Sequence, residues 1–481
     1  MRILITNPPW SNGHKTLNAG VKNRTPQIGG PDPYYKTFPF FMAYTAAILQ
    51  RNGHEVFMID SLAENMNENK FLKRIERIQP DVVLIETSTP TIDSDLKIAK
   101  KIKEIISTKI IFSGTHATVF PEKILEKNYV DIVLRGEYEF SMLDVVNCLA
   151  NGDNLAKIKG IAYRKGRKII ITPERELSNL DSLPYPARDL LPLKNYYDGI
   201  VGRPQIQMTT MRGCPFNCGF CLWTHVMFKN KFRVRNTLKV IEEIEFIKKK
   251  YSPRYIYFDD DVFTFGKERV IKLCDELLER GINIEWGAMT RPDLLDEELM
   301  TKMHDAGCVA LKIGVETAIP SIMKKIPKCI SIDKIKNVFQ SAKKIGIKTQ
   351  ALYVFGLPGD TKATIKKTIR FALNLSDKAQ FLLLTPYPGT PYYEMYKKNG
   401  WLINPEKWDI FHPYTSSIKL PTLDPNELKE LQREAYREFY TRKVKLDAFI
   451  YSLRKDGIKR TCMRSIFWLL TKCKIIKDPV L

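Results

Sequence analysis

The chain has 481 residues, 44% of them apolar and 27% charged, and carries a formal net charge of +22 at pH 7. This is too long for one ordinary domain and apolar enough to bury sizeable cores, which excludes disordered, collagen-like and coiled-coil classes. A spanning helix is not expected, since no run of about 18 uncharged apolar residues occurs, and no apolar run at the start reads as a signal peptide. The nine cysteines lack the density of a disulfide scaffold, so a reducing, cytoplasmic setting is expected.

In residues 1–150, short β-rich runs at 2–6, 55–60, 81–86, 109–113 and 131–134 alternate with apolar helical faces at 41–49, 71–78 and 96–106. This is the pattern of an α/β, doubly wound, Rossmann-like domain, with ligands at the carboxyl ends of its strands. At those ends stand residues 6–9 (TNPP), Thr87, Ser88 and Thr89, Gly114 with His116, and Gly136 with Glu137. Residues 151–200 read as a hairpin turning at 165–167, then a linker rich in Pro, Ser and Asp.

A second βα series fills residues 201–390, with strands expected at 205–210, 255–258, 284–288, 310–315, 349–355 and 380–385. Six units suggest a partial (β/α)6 barrel, whose chemistry gathers where the strands end. Directly after its first strand, residues 211–221 read MRGCPFNCGFC, so Cys214, Cys218 and Cys221 share one loop with C-x3-C-x2-C spacing. A zinc site would want a fourth ligand close by, and His225 is the only adjacent candidate. Three thiolates can instead hold three irons of a 4Fe-4S cluster and leave the fourth iron open.

This loop resembles the hallmark of the radical S-adenosylmethionine enzymes, C-x3-C-x-aromatic-C after the first barrel strand. The resemblance implies that Cys214, Cys218 and Cys221 ligate the cluster and that Phe220 lies against the adenine of S-adenosylmethionine. It further implies that the open iron chelates the methionine moiety and that an electron from the cluster cleaves it to a 5′-deoxyadenosyl radical. An electron donor such as flavodoxin or ferredoxin follows from the same chemistry. Further strand-end motifs come in the family's order: Asp260 in YFDDD (257–261), Arg291 in TRPDLL (290–295), Glu316 in IGVET (313–317), Gly356 and Gly359 in FGLPGD (355–360), and Pro388 in TPYPGT (385–390). By resemblance, Asp260 and Glu316 contact the methionine or ribose groups; Arg291 could pair with the carboxylate through its guanidinium fork. Asp360 stands where relatives often carry Glu.

A doubly wound domain fused ahead of such a barrel resembles the cobalamin-binding subfamily over about residues 1–390. Thr87, Ser88, Gly114, His116, Gly136 and Glu137 are the residues expected at the corrin, although RGEYE (135–139) departs from the more frequent Gly-Glu-Gly-Glu at Tyr138. None of the six histidines lies in D-x-H-x-x-G, so cobalamin is expected without an axial histidine from that motif. A domain that has kept this fold and lost its ligand is the competing reading.

Residues 391–481 are expected to be helical. From Thr441 onward eleven Lys or Arg face three Asp, interleaved with Leu446, Phe449, Ile450, Leu453, Ile466, Phe467, Leu469 and Leu470. This pattern suits peripheral contact with an anionic membrane or a lipid-like substrate; a helix capping the barrel explains it equally. Nucleic acid is not expected, because no RNA-binding module accompanies the charge. The chain thus reads as an enzyme that functionalises an unactivated carbon, by cobalamin-assisted methyl transfer or ring chemistry, on a small, apolar, lipid-like substrate. Residues 221–223 (CLW) and the tail resemble lipid-modifying members of hopanoid biosynthesis, and other relatives act on tetrapyrroles. A cobalamin or iron-sulfur sensor and a tRNA-modifying enzyme are the alternatives, and no catalytic acid or base is singled out.

Overall fold

The computed structural model describes residues 1–10, 35–326, 328 and 330–443. In chain order come β1 (Arg2–Asn7), the two-residue β2 (Tyr35–Lys36), β3 (Glu55–Asp60), β4 (Val82–Thr87), β5 (Lys109–Gly114), β6 (Ile132–Leu134), β7 (Ile161–Lys165) and β8 (Lys168–Ile171). All but β2 form one sheet in the order β3-β1-β4-β5-β6-β7-β8. The strands from β3 to β6 pair in parallel. Between them run α1 (Phe40–Arg51), α2 (Glu68–Ile78), α3 (Ile92–Ile105), and the short α4 (Thr115–Val119) and α5 (Pro121–Leu125); α6 (Glu139–Asn151) follows β6.

Alternation along the strands sends Ile3 and Ile5 into a core with Phe41, Met42, Val145 and Val146 of α1 and α6. Leu4 goes to the other face, with Phe71 and Ile75 of α2 and Ile98 and Ile102 of α3. Helices on both faces bury every residue of β4, so the strand reads as an unbroken apolar run until its last two residues. The expected doubly wound sheet is therefore present, and the hairpin β7–β8 extends it by pairing antiparallel with β6.

The connecting segment ends in β9 (Tyr197–Asp198), which pairs antiparallel with β2 and so ties the two halves together. Then follow β10 (Gln205–Met208), β11 (Met211–Arg212), β12 (Arg233–Val234), β13 (Tyr255–Phe258), β14 (Glu285–Thr290), β15 (Cys308–Glu316), β16 (Lys348–Phe355) and β17 (Lys378–Leu383). Six of these form a parallel sheet in strict chain order, β10-β13-β14-β15-β16-β17, the partial barrel expected from the sequence. Its outer face packs on α7 (Thr237–Tyr251), α8 (Lys267–Glu279), α9 (Glu297–Asp305), α10 (Pro320–Met323), α11 (Ile332–Ile345) and α12 (Lys362–Ala372). Inside, Ile200 and Val201 plug the first half of the barrel against Tyr255, Tyr257 and Ala310.

A six-stranded parallel sheet leaves a free edge at β17. After α13 (Pro391–Lys398), the helix α14 (Pro425–Lys443) covers it: Gln432 donates to the Phe381 carbonyl (2.7 Å), Tyr436 Oη accepts from Phe381 N–H (3.2 Å), and Tyr440 Oη donates to the Ala379 carbonyl (2.8 Å). Side chains thereby replace the missing neighbour strand. No described helix is long and apolar enough to cross a membrane. The apolar tail residues named above, Leu446 to Leu470, lie outside the described residues.

Candidate active site

The loop that carries the three cysteines is fixed before it reaches the first of them. Asp260, fully buried at the end of β13, accepts from Thr210 N–H (2.7 Å), Met211 N–H (3.1 Å) and Thr210 Oγ1 (2.5 Å). Asp261 accepts from Gly213 N–H at 2.9 Å. Gly213 sits at φ +82°, where a Cβ would come within 2.1 Å of the Lys231 carbonyl, so only glycine lets the loop cross the β11–β12 hairpin. Asp260 thus spends three hydrogen bonds on the loop, which positions the cysteines.

Cys218 and Cys221 flank a turn closed by Cys221 N–H to the Cys218 carbonyl (2.9 Å). Burial pushes the Cys214 thiol up to about 12, the Cys218 thiol up to about 11, and the Cys221 thiol upward as well. Three thiolates here therefore need positive charge among them, which iron supplies. Among the described residues no three His, Cys, Asp or Glu side chains come close enough to hold a single metal ion. Thiolates that each ligate a different iron of one cluster stand wider apart than those on one zinc. His225 does not turn toward the thiols; its Nε2 lies 3.1 Å from the Cys218 carbonyl.

Around Cys218 three charges converge. Arg291 stacks on Phe216, 3.6 Å from the ring centre, forks onto Asp293 through two 2.9 Å contacts, and points Nη1 at Cys218 Sγ (4.0 Å). Glu316 holds φ +68° at the end of β15, uncommon for a non-glycine residue, and pairs with Lys328. Lys328 also donates to the Gly314 carbonyl (2.9 Å) and is only 4% exposed. Nothing in the sequence singles out Lys328, because it follows Glu316 by twelve residues and no motif marks it among 76 basic residues.

Phe220 meets Tyr392 edge-on at 5.9 Å, and Tyr392 N–H donates to the Gly219 carbonyl (3.0 Å). The PYPG turn with Pro388 thereby leads α13 back onto the cysteine loop. Gly356 and Gly359 adopt φ +94° and +97°, but the atoms nearest their missing Cβ are Ile418 Cδ1 and Lys325 Nζ, each at 2.8 Å. Asp360 closes this turn by accepting from the N–H groups of Gly356 (3.0 Å) and Leu357 (2.9 Å).

At the strand ends of the first domain, Thr87 Oγ1 donates to buried Asp95 (2.6 Å), Ser88 bonds Thr91 (3.1 Å), and Thr89 meets His116 Nδ1 (3.3 Å). His116 is wedged against Phe120 and Trp408, and burial pushes its pKa down to about 3, which keeps the ring neutral. Gly114 and Gly136 take φ +99° and +68°. Both polar atoms of the buried Asn7 side chain, Ser61 Oγ and Ser113 Oγ lack hydrogen-bond partners among the described residues. These orphaned groups at the ends of β1, β3 and β5 fit a polar ligand lying across the rim.

Glu137 and Glu139 turn away from that rim toward the barrel. Arg212, in the residue pair preceding Gly213, reaches Glu139 (2.6 Å) and Glu137 (3.4 Å) and lies over Phe41 at 4.4 Å. Arg233 Nη1 bonds Glu137 at 2.9 Å. Burial alone would raise the Glu137 pKa, but the two guanidiniums hold it below the usual range. Stacked Phe41 and Trp223, 5.6 Å apart, complete this join between the cysteine loop and the first domain.

A family model described as the radical SAM superfamily matches residues 208–372, and one described as the B12 binding domain matches residues 32–146. An uncharacterized methyltransferase of Pyrococcus horikoshii is 32% identical over 465 residues, covering 96% of this chain and 97% of that protein. The anaerobic magnesium-protoporphyrin IX monomethyl ester cyclase of Rubrivivax gelatinosus is 28% identical, covering 96% of this chain and 80% of its own. The same fold occurs in TsrM, a radical S-adenosylmethionine methyltransferase from Kitasatospora setae solved with cobalamin and a [4Fe-4S] cluster, at TM-score 0.67 and 16% identity over 91% of this chain and 85% of that one.

Proposed function

The chain belongs to the cobalamin-binding radical S-adenosylmethionine enzymes, and from that premise we propose that it methylates an unactivated carbon of a small, largely apolar substrate. The observation that supports this reading is the join of the cysteine loop to the loop after β6 of the cobalamin-type domain, made by Arg212 with Glu137 and Glu139. When bound, the cluster supplies the electron that cleaves S-adenosylmethionine to a hydrogen-abstracting radical, and cobalamin supplies a methyl group.

The roles of this chain's own residues follow from their places. Cys214, Cys218 and Cys221 hold the cluster, and Asp260 and Asp261 hold their loop. Glu316 faces the amino group of the methionine moiety. Lys328 and Arg291, the cations beside Cys218, draw its carboxylate, each by leaving part of a present contact. Phe220, held by Tyr392, lies against the adenine, and Gly356, Gly359 and Pro388 shape the turns that bound it. Thr87, Ser88, Gly114, His116 and Gly136 would hold the corrin, with Asn7 and Ser113 offering polar groups that have no partner among the described residues. Glu137 serves that site from behind, through the arginines.

Ring formation is the second reading, favoured by the cyclase that aligns with 96% of this chain. An electron donor such as flavodoxin or ferredoxin, and peripheral membrane contact through 441–481, complete the proposal. The test is anaerobic reconstitution with iron, sulfide and cobalamin, then dithionite and S-adenosylmethionine. Formation of 5′-deoxyadenosine by wild type and not by Cys218→Ala, with cobalamin retained after desalting, is the expected result. Absence of both would favour a sensor or a degenerate domain.

A further inference from the structure

The helix α13, which follows the PYPG turn, carries Tyr392 and Tyr396 one turn apart, and the fold uses their hydroxyls unequally. Tyr396 Oη donates to the Gly356 carbonyl at 2.7 Å. Tyr392 stacks on Tyr396, with ring centres 6.0 Å apart and planes 27° apart, and is only 8% exposed. Its Oη nevertheless has no hydrogen-bond partner among the described residues. Buried tyrosine hydroxyls normally find a partner, because one left without it bears the full cost of desolvation. Such an orphan calls for a group that the folded chain alone does not supply.

Everything that fixes the Tyr392 ring would be met equally by phenylalanine. Its N–H donates to the Gly219 carbonyl, and its ring meets Phe220 edge-on at 5.9 Å. Its Cδ1 and Cε1 both lie 2.6 Å from where a Cβ on Gly219 would stand, so the ring rests directly on the backbone between Cys218 and Cys221. Burial, together with the charge of a Cys218 thiolate, pushes the Tyr392 phenol up to about 12. The one polar atom that distinguishes this residue from phenylalanine is thus buried, unpartnered and close enough to Cys218 to feel its charge.

We propose that Tyr392 Oη donates a hydrogen bond to the cluster at Cys218, to the thiolate or an adjoining sulfide, and thereby raises the cluster's reduction potential. This rests on the radical reading above and adds a tuning residue to that site. A hydrogen bond to sulfur favours the reduced cluster, which carries one more negative charge, over the oxidised one. Arg291 and Lys328 act in the same sense, but both are drawn toward the carboxylate of S-adenosylmethionine. Tyr392 is neutral and held by its own helix, so its contribution is the same with that ligand present or absent.

The test is a redox titration of the full chain, reconstituted anaerobically with iron and sulfide and followed by electron paramagnetic resonance, with and without S-adenosylmethionine. Tyr392→Phe keeps the ring and should assemble the cluster with unchanged iron content. At a fixed potential its reduced-to-oxidised ratio should fall about tenfold, a midpoint about 59 mV lower for a one-electron couple. The shift should be equal in both conditions. One exchangeable-proton coupling should also disappear from the electron-nuclear double resonance spectrum of the reduced cluster, a change that altered packing does not mimic. Tyr396→Phe, which removes a hydroxyl bonded within the protein, should lower the melting temperature and keep that coupling. An unchanged midpoint in Tyr392→Phe, a retained coupling, or a shift seen only with S-adenosylmethionine would overturn the inference. Failure of wild type to assemble a 4Fe-4S cluster sinks the radical reading as well, whereas an assembled cluster indifferent to Tyr392→Phe sinks only this one.

Discussion

Gly114 is held where no other residue fits. Its φ of +99° and a Cβ position 2.2 Å from the Thr87 carbonyl mean that Gly114→Ala must part the ends of β4 and β5. We expect a loss of at least about 2 kcal/mol, read as a lower urea midpoint, and weaker cobalamin retention. Asp360 behaves differently. Burial raises its folded pKa from 3.8 to about 6, above the unfolded value. The stability it contributes is therefore complete below about pH 4 and lost as pH rises through about 6, a change of roughly 1–3 kcal/mol. Asp360→Asn should flatten that part of the pH profile and raise the melting temperature at pH 8, whereas a profile matching wild type would contradict the assignment. The cysteine spacing was legible because three thiols in eight residues have few other uses. Lys328 was not, since a buried cation acquires meaning only beside Glu316, which the fold brings to it.

At the scale of elements, strands were legible where one face is apolar and both ends carry turn residues. The run 310–315 is the centre of β15, which the structure extends to Cys308–Glu316. The pairing of β7, the first strand of the β7–β8 hairpin, with β6 was not legible, because a hairpin's local pattern does not say which sheet edge it meets. The role of α14 was likewise hidden. Its residues Gln432, Tyr436 and Tyr440 look like an ordinary polar face until β17 lies beside them. Gln432→Leu removes donors to two buried carbonyls, of Phe381 and Pro413, and should cost about 1–3 kcal/mol. Truncation before Pro425 exposes the β17 edge and should give aggregated protein; a soluble, monomeric truncation would refute the capping role.

For the molecule as a whole, the two domains were legible and their join was not. Arg212 lies in the cysteine motif and Glu137 and Glu139 in the loop after β6, two stretches that sequence alone assigns to separate cofactors. In the fold they are one buried ionic cluster, so each motif also holds the other's loop. Arg212→Ala leaves Glu139 buried without its partner and should cost about 3–5 kcal/mol. If the join transmits strain, the variant should also bind less iron per chain; unchanged melting and iron content would show the cluster to be incidental.

The proposed function stands on a cluster held by three cysteines with one iron open to S-adenosylmethionine. Its most direct test is electron paramagnetic resonance of the dithionite-reduced, reconstituted protein with and without S-adenosylmethionine. A 4Fe-4S signal that changes shape when S-adenosylmethionine is added, and that is absent in Cys218→Ala, is the expected result. A signal indifferent to S-adenosylmethionine, or one that survives loss of Cys218, would contradict it.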